Sequence, residues 1–245
     1  MEMYNKKNVQ DRASLSYKYS YLKDGLYTIH RLQEAVVSLL KSIELKELEK
    51  FDKFLDLGCG QGQWMNFFHQ FFFGNITPYG IDLSPYQIEQ LKLKFPEYQV
   101  ECRVMSALPY SDGYFNLLTA FTSFMFIQTE KELIEVFSES HRVLKDGGYL
   151  LIEDVFKRDG HFLGKQLSQH KMAGYNLLEL DKYAKEQGFR RVAKKSVFKR
   201  FFWSKRYRMN SVNLPSYIGY SMTYLSEFLI PGEMNNFLIL YQKVK

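Results

Sequence analysis

The stretch Phe54-Leu55-Asp56-Leu57-Gly58-Cys59-Gly60-Gln61-Gly62, followed by Tyr79-Gly80-Ile81-Asp82-Leu83-Ser84, decides how this chain folds. An apolar strand climbs to Asp56 and Leu57, three glycines at alternate positions make a tight turn, and a helix rich in aromatics follows. Gly58, Gly60 and Gly62 can adopt positive φ and let a ligand lie against backbone that a Cβ would shield. Asp82 ends a second short apolar strand, placed to meet the same ligand. The two segments together describe a nucleoside-binding crevice.

Asp82 lies 24 residues after Gly58, about the separation at which one carboxylate receives two ribose hydroxyls in Rossmann-like units. Spacing also separates the possible cofactors. A dinucleotide fingerprint, G-x-G-x-x-G, would put its third glycine where Gln63 stands. The observed G-x-G-x-G preceded by Asp56 resembles motif I of the class I S-adenosylmethionine (SAM)-dependent methyltransferases.

Three further segments carry the same resemblance in the same order. Met105-Ser106-Ala107-Leu108-Pro109-Tyr110 and the run to Leu118 are similar to the family's adenine-contacting turn, its Leu-Pro bend and strand four. His141 to Ile152, through Gly147 and Gly148, is similar to its helix end, Gly-Gly turn and strand five. Leu180 to Phe189 resembles the helix whose Gly-Phe exit leads to strand six.

Hydrophobic periodicity predicts strands near 53–57, 78–82, 99–104, 114–120, 148–154, 190–198 and 236–243, with helices between them. This alternation points to an α/β fold with a seven-stranded, mostly parallel sheet covered on both faces. The resemblance implies a Rossmann-like three-layer sandwich, order 3-2-1-4-5-7-6 with the last strand antiparallel. Ligands bind such sheets at the strands' carboxyl ends, beside the switch between strands 1 and 4.

The resemblance also implies roles. Asp56 would steer the methionine amino group of SAM, and Gly58, Cys59, Gly60 and Gly62 would run backbone alongside its methionine and ribose. Asp82 would accept the ribose hydroxyls, Leu83 would pack on the adenine, Met105 and Ser106 would meet its edge, and Phe121 would lie beside the methionine portion. S-adenosylhomocysteine would be the product. Val104 departs from the pattern, standing where relatives carry an acid for the adenine amine. Thr119-Ala120-Phe121-Thr122-Ser123-Phe124 lacks the Asn/Asp-Pro-Pro-Tyr/Phe turn of enzymes that methylate base amines.

At 245 residues, 46% hydrophobic and 17% aromatic, the chain can bury one sizeable core. Residues 1–245 read as a single methyltransferase domain with two additions. Residues 1–50 form an N-terminal helical cap, in which Leu26, Ile29, Leu32, Val36, Val37 and Leu40 have helical spacing and Tyr17, Tyr19 and Tyr21 alternate. Residues 199–235 form an insertion between strands six and seven, long enough to suggest a substrate lid. No long apolar run or secretory leader is evident, and Cys59 and Cys102 have no metal or disulfide spacing, so a cytoplasmic setting and no metal are expected.

Net charge is +6, yet nine cations fall within residues 190–208 with no acid among them, leaving the rest of the chain net negative. Phe198, Phe201, Phe202, Trp203 and Tyr207 interleave with Arg190, Arg191, Lys194, Lys195, Lys199, Arg200, Lys205, Arg206 and Arg208. That mixture suits a stacked base, an anionic membrane surface or an anionic acceptor. It equally suits a solvated edge strand whose lysines block sheet-to-sheet pairing.

A sulfonium methyl is already activated, so transfer requires mainly a nucleophile held about 3–3.5 Å from carbon, in line with sulfur. A base is needed only for a protonated acceptor. His161 and Asp154 are the catalytic candidates, with His170 and Glu153 beside them, while His30, His69 and His141 read as structural.

The expected function is methyl transfer to an oxygen or nitrogen of a small-molecule, lipid or glycan acceptor, an anionic one suiting the basic lid. An RNA-directed methyltransferase and a non-catalytic binding module remain open alternatives, with an NAD-dependent oxidoreductase behind them. Oligomeric state stays open.

Overall fold

The computed structural model describes residues 25–127, 129–155, 176–199 and 234–244. Tyr17, Tyr19, Tyr21, His161, His170 and the expected insertion from Arg200 to 233 lie outside these residues. Helices α1 (Gly25–Leu40) and α2 (Leu45–Leu48) precede β1 (Lys53–Leu57), α3 (Gln63–Phe71), β2 (Thr77–Asp82), α4 (Pro85–Lys94) and β3 (Gln99–Cys102). Then come β4 (Phe115–Phe121), a 3-10 turn (Phe124–Phe126), α5 (Glu130–Val143), β5 (Leu144–Val155), α6 (Leu177–Glu186), β6 (Phe189–Lys199) and β7 (Met234–Lys243).

The strands form one sheet in the order β3-β2-β1-β4-β5-β7-β6. Strands β1 to β5 are parallel, and β7 runs antiparallel to both neighbours. Both the order and the reversed last strand agree with the expectation. Alternation along the strands sorts the core into two layers. Phe54, Leu117, Leu151 and Leu240 face α1, α3 and α4, whereas Leu55, Leu118, Ile152 and Tyr241 face α5 and α6.

Helix α1 packs on β6 and β7. It buries Leu32, Ala35, Val36, Leu39 and Leu40. Full burial of each large side chain contributes about 1.5–3 kcal/mol. Strand β5 begins earlier than the periodicity predicts, at Leu144 rather than 148. It pairs Leu144 with Phe115 and then shifts register before Leu117 meets Tyr149. Gly147 supplies a positive φ of 77° within that irregularity. Strand β3 stops at Cys102, two residues short of its expected end.

At the far end of the sheet, α6 exits through Gly188, whose φ is 82°. A Cβ there would stand 2.7 Å from His141 Nε2. The imidazole also meets Phe189 edge-on, and burial holds its pKa below the ordinary value. His141 is therefore a packing residue, as expected. His69 is likewise engaged, its Nδ1 3.1 Å from Ile76 O and its ring edge-on to Tyr98. Among the described residues, no helix is long and apolar enough to cross a membrane.

Candidate active site

The site grows from the carboxyl ends of β1, β2 and β4. Beyond Leu57 the chain turns through Gly58, Gly60 and Gly62, with φ of 81°, 51° and 79°. Gly62 then serves as the N-cap of α3. The amides of this turn are directed inward. Gly58 N and Cys59 N donate to Ile81 O at 2.8 and 2.9 Å, Gly62 N to Cys59 O at 2.9 Å, and Gly60 N to Asp82 Oδ2 at 2.9 Å. Four turn amides are thus committed to the protein.

The three glycines differ in what they make possible. A Cβ on Gly58 would stand 2.7 Å from Ser123 Cβ, and one on Gly62 would run into Leu91 Cδ1. At Gly60 nothing lies within 4 Å. Gly58 and Gly62 are therefore demanded by packing as well as by φ. Gly60 alone presents an open face.

Asp82 is fixed from both sides, since its Oδ1 accepts from Ser84 N at 2.8 Å while Oδ2 holds Gly60. Ser84 in turn caps α4 by accepting from Gln87 N at 3.3 Å. Each carboxylate oxygen keeps a further lone pair for a hydroxyl. Burial raises the Asp82 pKa, against the lowering effect of those two amides. Leu83 beside it is 60% exposed, an unusual position for a leucine at the end of a core strand.

Asp56 is only 2% exposed. It sits between Gly80 of β2 and Thr119 of β4 in register, and Thr119 Oγ1 donates to its Oδ1 at 2.7 Å. Burial, together with the nearby Asp82 carboxylate, pushes the Asp56 pKa up to about 7, while the Thr119 bond works against the rise. Gly80 lets the turn close over this pair, because a Cβ there would lie 2.7 Å from Met65 Sδ and 2.8 Å from Cys59 Sγ. Burial pushes the Cys59 thiol well up, so it is an unreactive part of the packing.

Met105 and Ser106 are half-buried, just before the Leu108-Pro109-Tyr110 bend. Arg142 of α5 pins that bend, donating to Leu108 O at 2.9 Å and Tyr110 O at 2.7 Å. The same guanidinium takes Glu139 in a fork, 2.8 Å on each side, and Glu139 Oε2 accepts from Leu108 N at 2.8 Å. The motif segment is thereby fixed to α5 by charged hydrogen bonds, the strong kind.

Phe121 ends β4 and stacks on Trp64, with centroids 3.8 Å apart and planes 10° from parallel. Trp64 comes from the first turn of α3 and was not anticipated from the sequence. Thr119 and Ser123 were also missed. Thr119 had a legible signal, being the only side-chain hydroxyl in the fully buried strand FNLLTAF. Ser123 Oγ is buried and has no hydrogen-bond partner among the described residues.

Asp154, a catalytic candidate, is fully buried on β5, with Oδ2 accepting from Met125 N at 2.8 Å. It therefore has a structural function in holding the 3-10 turn. Glu153 beside it accepts from Thr122 Oγ1 at 2.9 Å. Thr122, with φ at 52°, also gives its amide to Glu153 O at 2.8 Å.

Comparison with known proteins accords with this geometry. Residues 55–152 match the family model described as a methyltransferase domain. An uncharacterized methyltransferase of Synechocystis is 30% identical over 105 residues, 43% of this chain and 48% of that protein. A sterol 4-C-methyltransferase of Caenorhabditis elegans is 30% identical over 138 residues, 54% of this chain and 40% of that one. The matched stretch thus spans about half or less of these relatives. The crystal structure of geranyl diphosphate C-methyltransferase from Streptomyces coelicolor, bound to Mg2+, geranyl diphosphate and S-adenosylhomocysteine, aligns with a TM-score of 0.60 at 18% identity. It covers 79% of this chain and 71% of that one. Over residues 55–152 and in its sheet order, this chain is thus similar to methyltransferases.

Proposed function

We propose that this protein binds SAM in the crevice above β1, β2 and β4 and transfers its methyl group to a small-molecule, lipid or glycan acceptor. One observation carries the reading: an open backbone face at Gly60 lies beside an anchored Asp82 and a buried Asp56 that has no cation partner among the described residues. A ligand with a nucleoside at one end and an ammonium at the other satisfies both carboxylates. A dinucleotide pyrophosphate would instead need free amides at the glycine turn, and four of them are already engaged.

When bound, the sulfonium supplies an activated methyl group. The chain's task is then to bind and orient. Asp56 receives the ammonium, and the remaining lone pairs of Asp82 take the ribose hydroxyls. Leu83 offers an apolar face to the adenine, and Met105 and Ser106 meet its edge, on a bend that Arg142 keeps in place. The Phe121 and Trp64 stack limits the space at the methionine end. His161 remains the candidate base for a protonated acceptor.

A small acceptor is favoured over RNA by the described cations of β6. Arg190 donates to Gln242 at 2.9 Å, Arg191 pairs with Asp181, and Lys194 lies 5.1 Å over the Phe237 ring. These groups are engaged by the protein itself, as an edge strand requires. The acceptor atom is oxygen or nitrogen in the first reading. Carbon is the second, favoured by the names of two relatives, which act on a sterol and on geranyl diphosphate. Incubation with methyl-labelled SAM and parallel panels of isoprenoid and sugar phosphates, sterols and total RNA tests the proposal. Label is expected in a small-molecule fraction, and label confined to RNA would overturn it.

A further inference from the structure

Asp56 is a buried carboxyl that, among the described residues, has the Thr119 hydroxyl as its hydrogen-bond partner and no cation beside it. Its neighbours leave little else to balance a charge. Among the described residues, the titratable groups facing it are Cys59 of the glycine turn and Asp82 of β2, and neither is basic. Helix α3 brings Met65 toward this point, and Leu151 of β5 pairs with Thr119 on its far side. The first turn of α3 contains no acid.

A carboxylate in such a place is costly to ionise unless a donor or a cation meets it. Thr119 supplies the donor from within the sheet. It is itself fully buried, and its Cα is the register partner of Asp56 across β1 and β4, so the hydroxyl has little freedom to turn elsewhere. The cation is then left to the ligand.

We propose that Thr119 is a positioning residue that orients Asp56 and holds it ready to ionise, so that the cofactor's ammonium is bound as the charged partner of Asp56 with loss of the carboxyl proton. This inference rests on the proposed SAM site. No bond is made or broken apart from transfer of that proton to solvent. Its consequence is that affinity for an amino-acid-bearing nucleoside depends on pH, while affinity for the same nucleoside lacking the amino-acid end does not. Thr119 sets the pH at which the dependence appears, because removing its hydrogen bond makes ionisation harder.

The test is calorimetric titration of the whole protein with SAM and with methylthioadenosine, which lacks the amino-acid end, from acid to mildly alkaline pH. For the wild type, SAM affinity is expected to rise about tenfold per pH unit below neutrality and then level, since one proton is released. Methylthioadenosine should bind equally across the range. Thr119→Val should move the levelling point upward by about one pH unit, leave methylthioadenosine unaffected, and be rescued by Thr119→Ser. Should the valine variant fold poorly, Thr119→Ala is read the same way. In addition, proton release by the wild type, measured in buffers of different ionisation enthalpy, tests the coupling without any variant.

An unshifted SAM profile in the Thr119 variants would overturn the proposal, as would pH-independent SAM binding by the wild type. Equal weakening of both ligands would show a merely structural role and overturn it too. Wild-type protein that binds neither ligand would instead remove the SAM site itself, a distinct failure.

Discussion

Ser123 packs against Gly58 so closely that a Cβ at residue 58 would stand 2.7 Å from its own Cβ. The first glycine of the motif is therefore required by the meeting of β1 and β4 as much as by any ligand. Gly62 has the same relation to Leu91, whereas Gly60 faces open space. Alanine at 58 or 62 combines left-handed strain with overpacking, and each is expected to cost about 2–4 kcal/mol. Gly60→Ala should cost about 1–2 kcal/mol yet lower SAM affinity about tenfold or more. Denaturation curves and ligand titrations on the three variants check this ordering.

Asp56 gives a stability prediction opposite to that of a salt-bridged acid. Its folded-state pKa is raised to about 7, whereas the unfolded carboxyl titrates near ~3.9. Between those values the native state holds more protons, so stability falls as pH rises from about 4 to 7. Asp56→Asn removes that slope. At pH 8, with no ligand, it should be more stable than the wild type, by an amount on the order of 3 kcal/mol. It should also lose SAM binding. Denaturant melts at pH 5 and pH 8 measure both arms.

Arg142 joins α5 to the Leu108-Pro109-Tyr110 bend through two carbonyls, Glu139 and Asp112. Arg142→Met keeps the aliphatic stem but releases the bend. The expected loss is about 1–3 kcal/mol, with weaker SAM binding because Met105 and Ser106 lose their support. Lysine should not rescue it, because one ammonium cannot reproduce the fork.

Asp154 holds Met125 N, so Asp154→Ala leaves a buried amide without its acceptor. The cost should be about 1–3 kcal/mol. Any methyl transfer by the folded variant should keep the wild-type pH profile, as measured by steady-state rates from pH 6 to 9. Loss of the acidic limb, the fall in rate at low pH, would instead make Asp154 the base.

Much of the fold was legible because strand patterns here are strong. Apolar runs ending at Asp56 and Asp82 and the Gly-Phe exit at Gly188 and Phe189 place strands to within a few residues. The start of β5 was less legible. Leu144 joins the sheet through a register shift, and its pairing with Phe115 depends on tertiary contact rather than local pattern. At the site, the glycines and Asp82 announce themselves by spacing. Thr119, Trp64 and Ser123 do not, because each matters through a partner distant in sequence: Asp56, Phe121 and Gly58. The differing needs of the three glycines were equally hidden, since they depend on Leu91 and Ser123.

A crevice built for SAM should refuse a dinucleotide. Calorimetric titration of the purified protein at pH 8 with SAM and, separately, with NAD tests it most directly. Saturable binding of SAM with no heat from NAD is the expected result. Saturable NAD binding with no SAM binding would contradict the account.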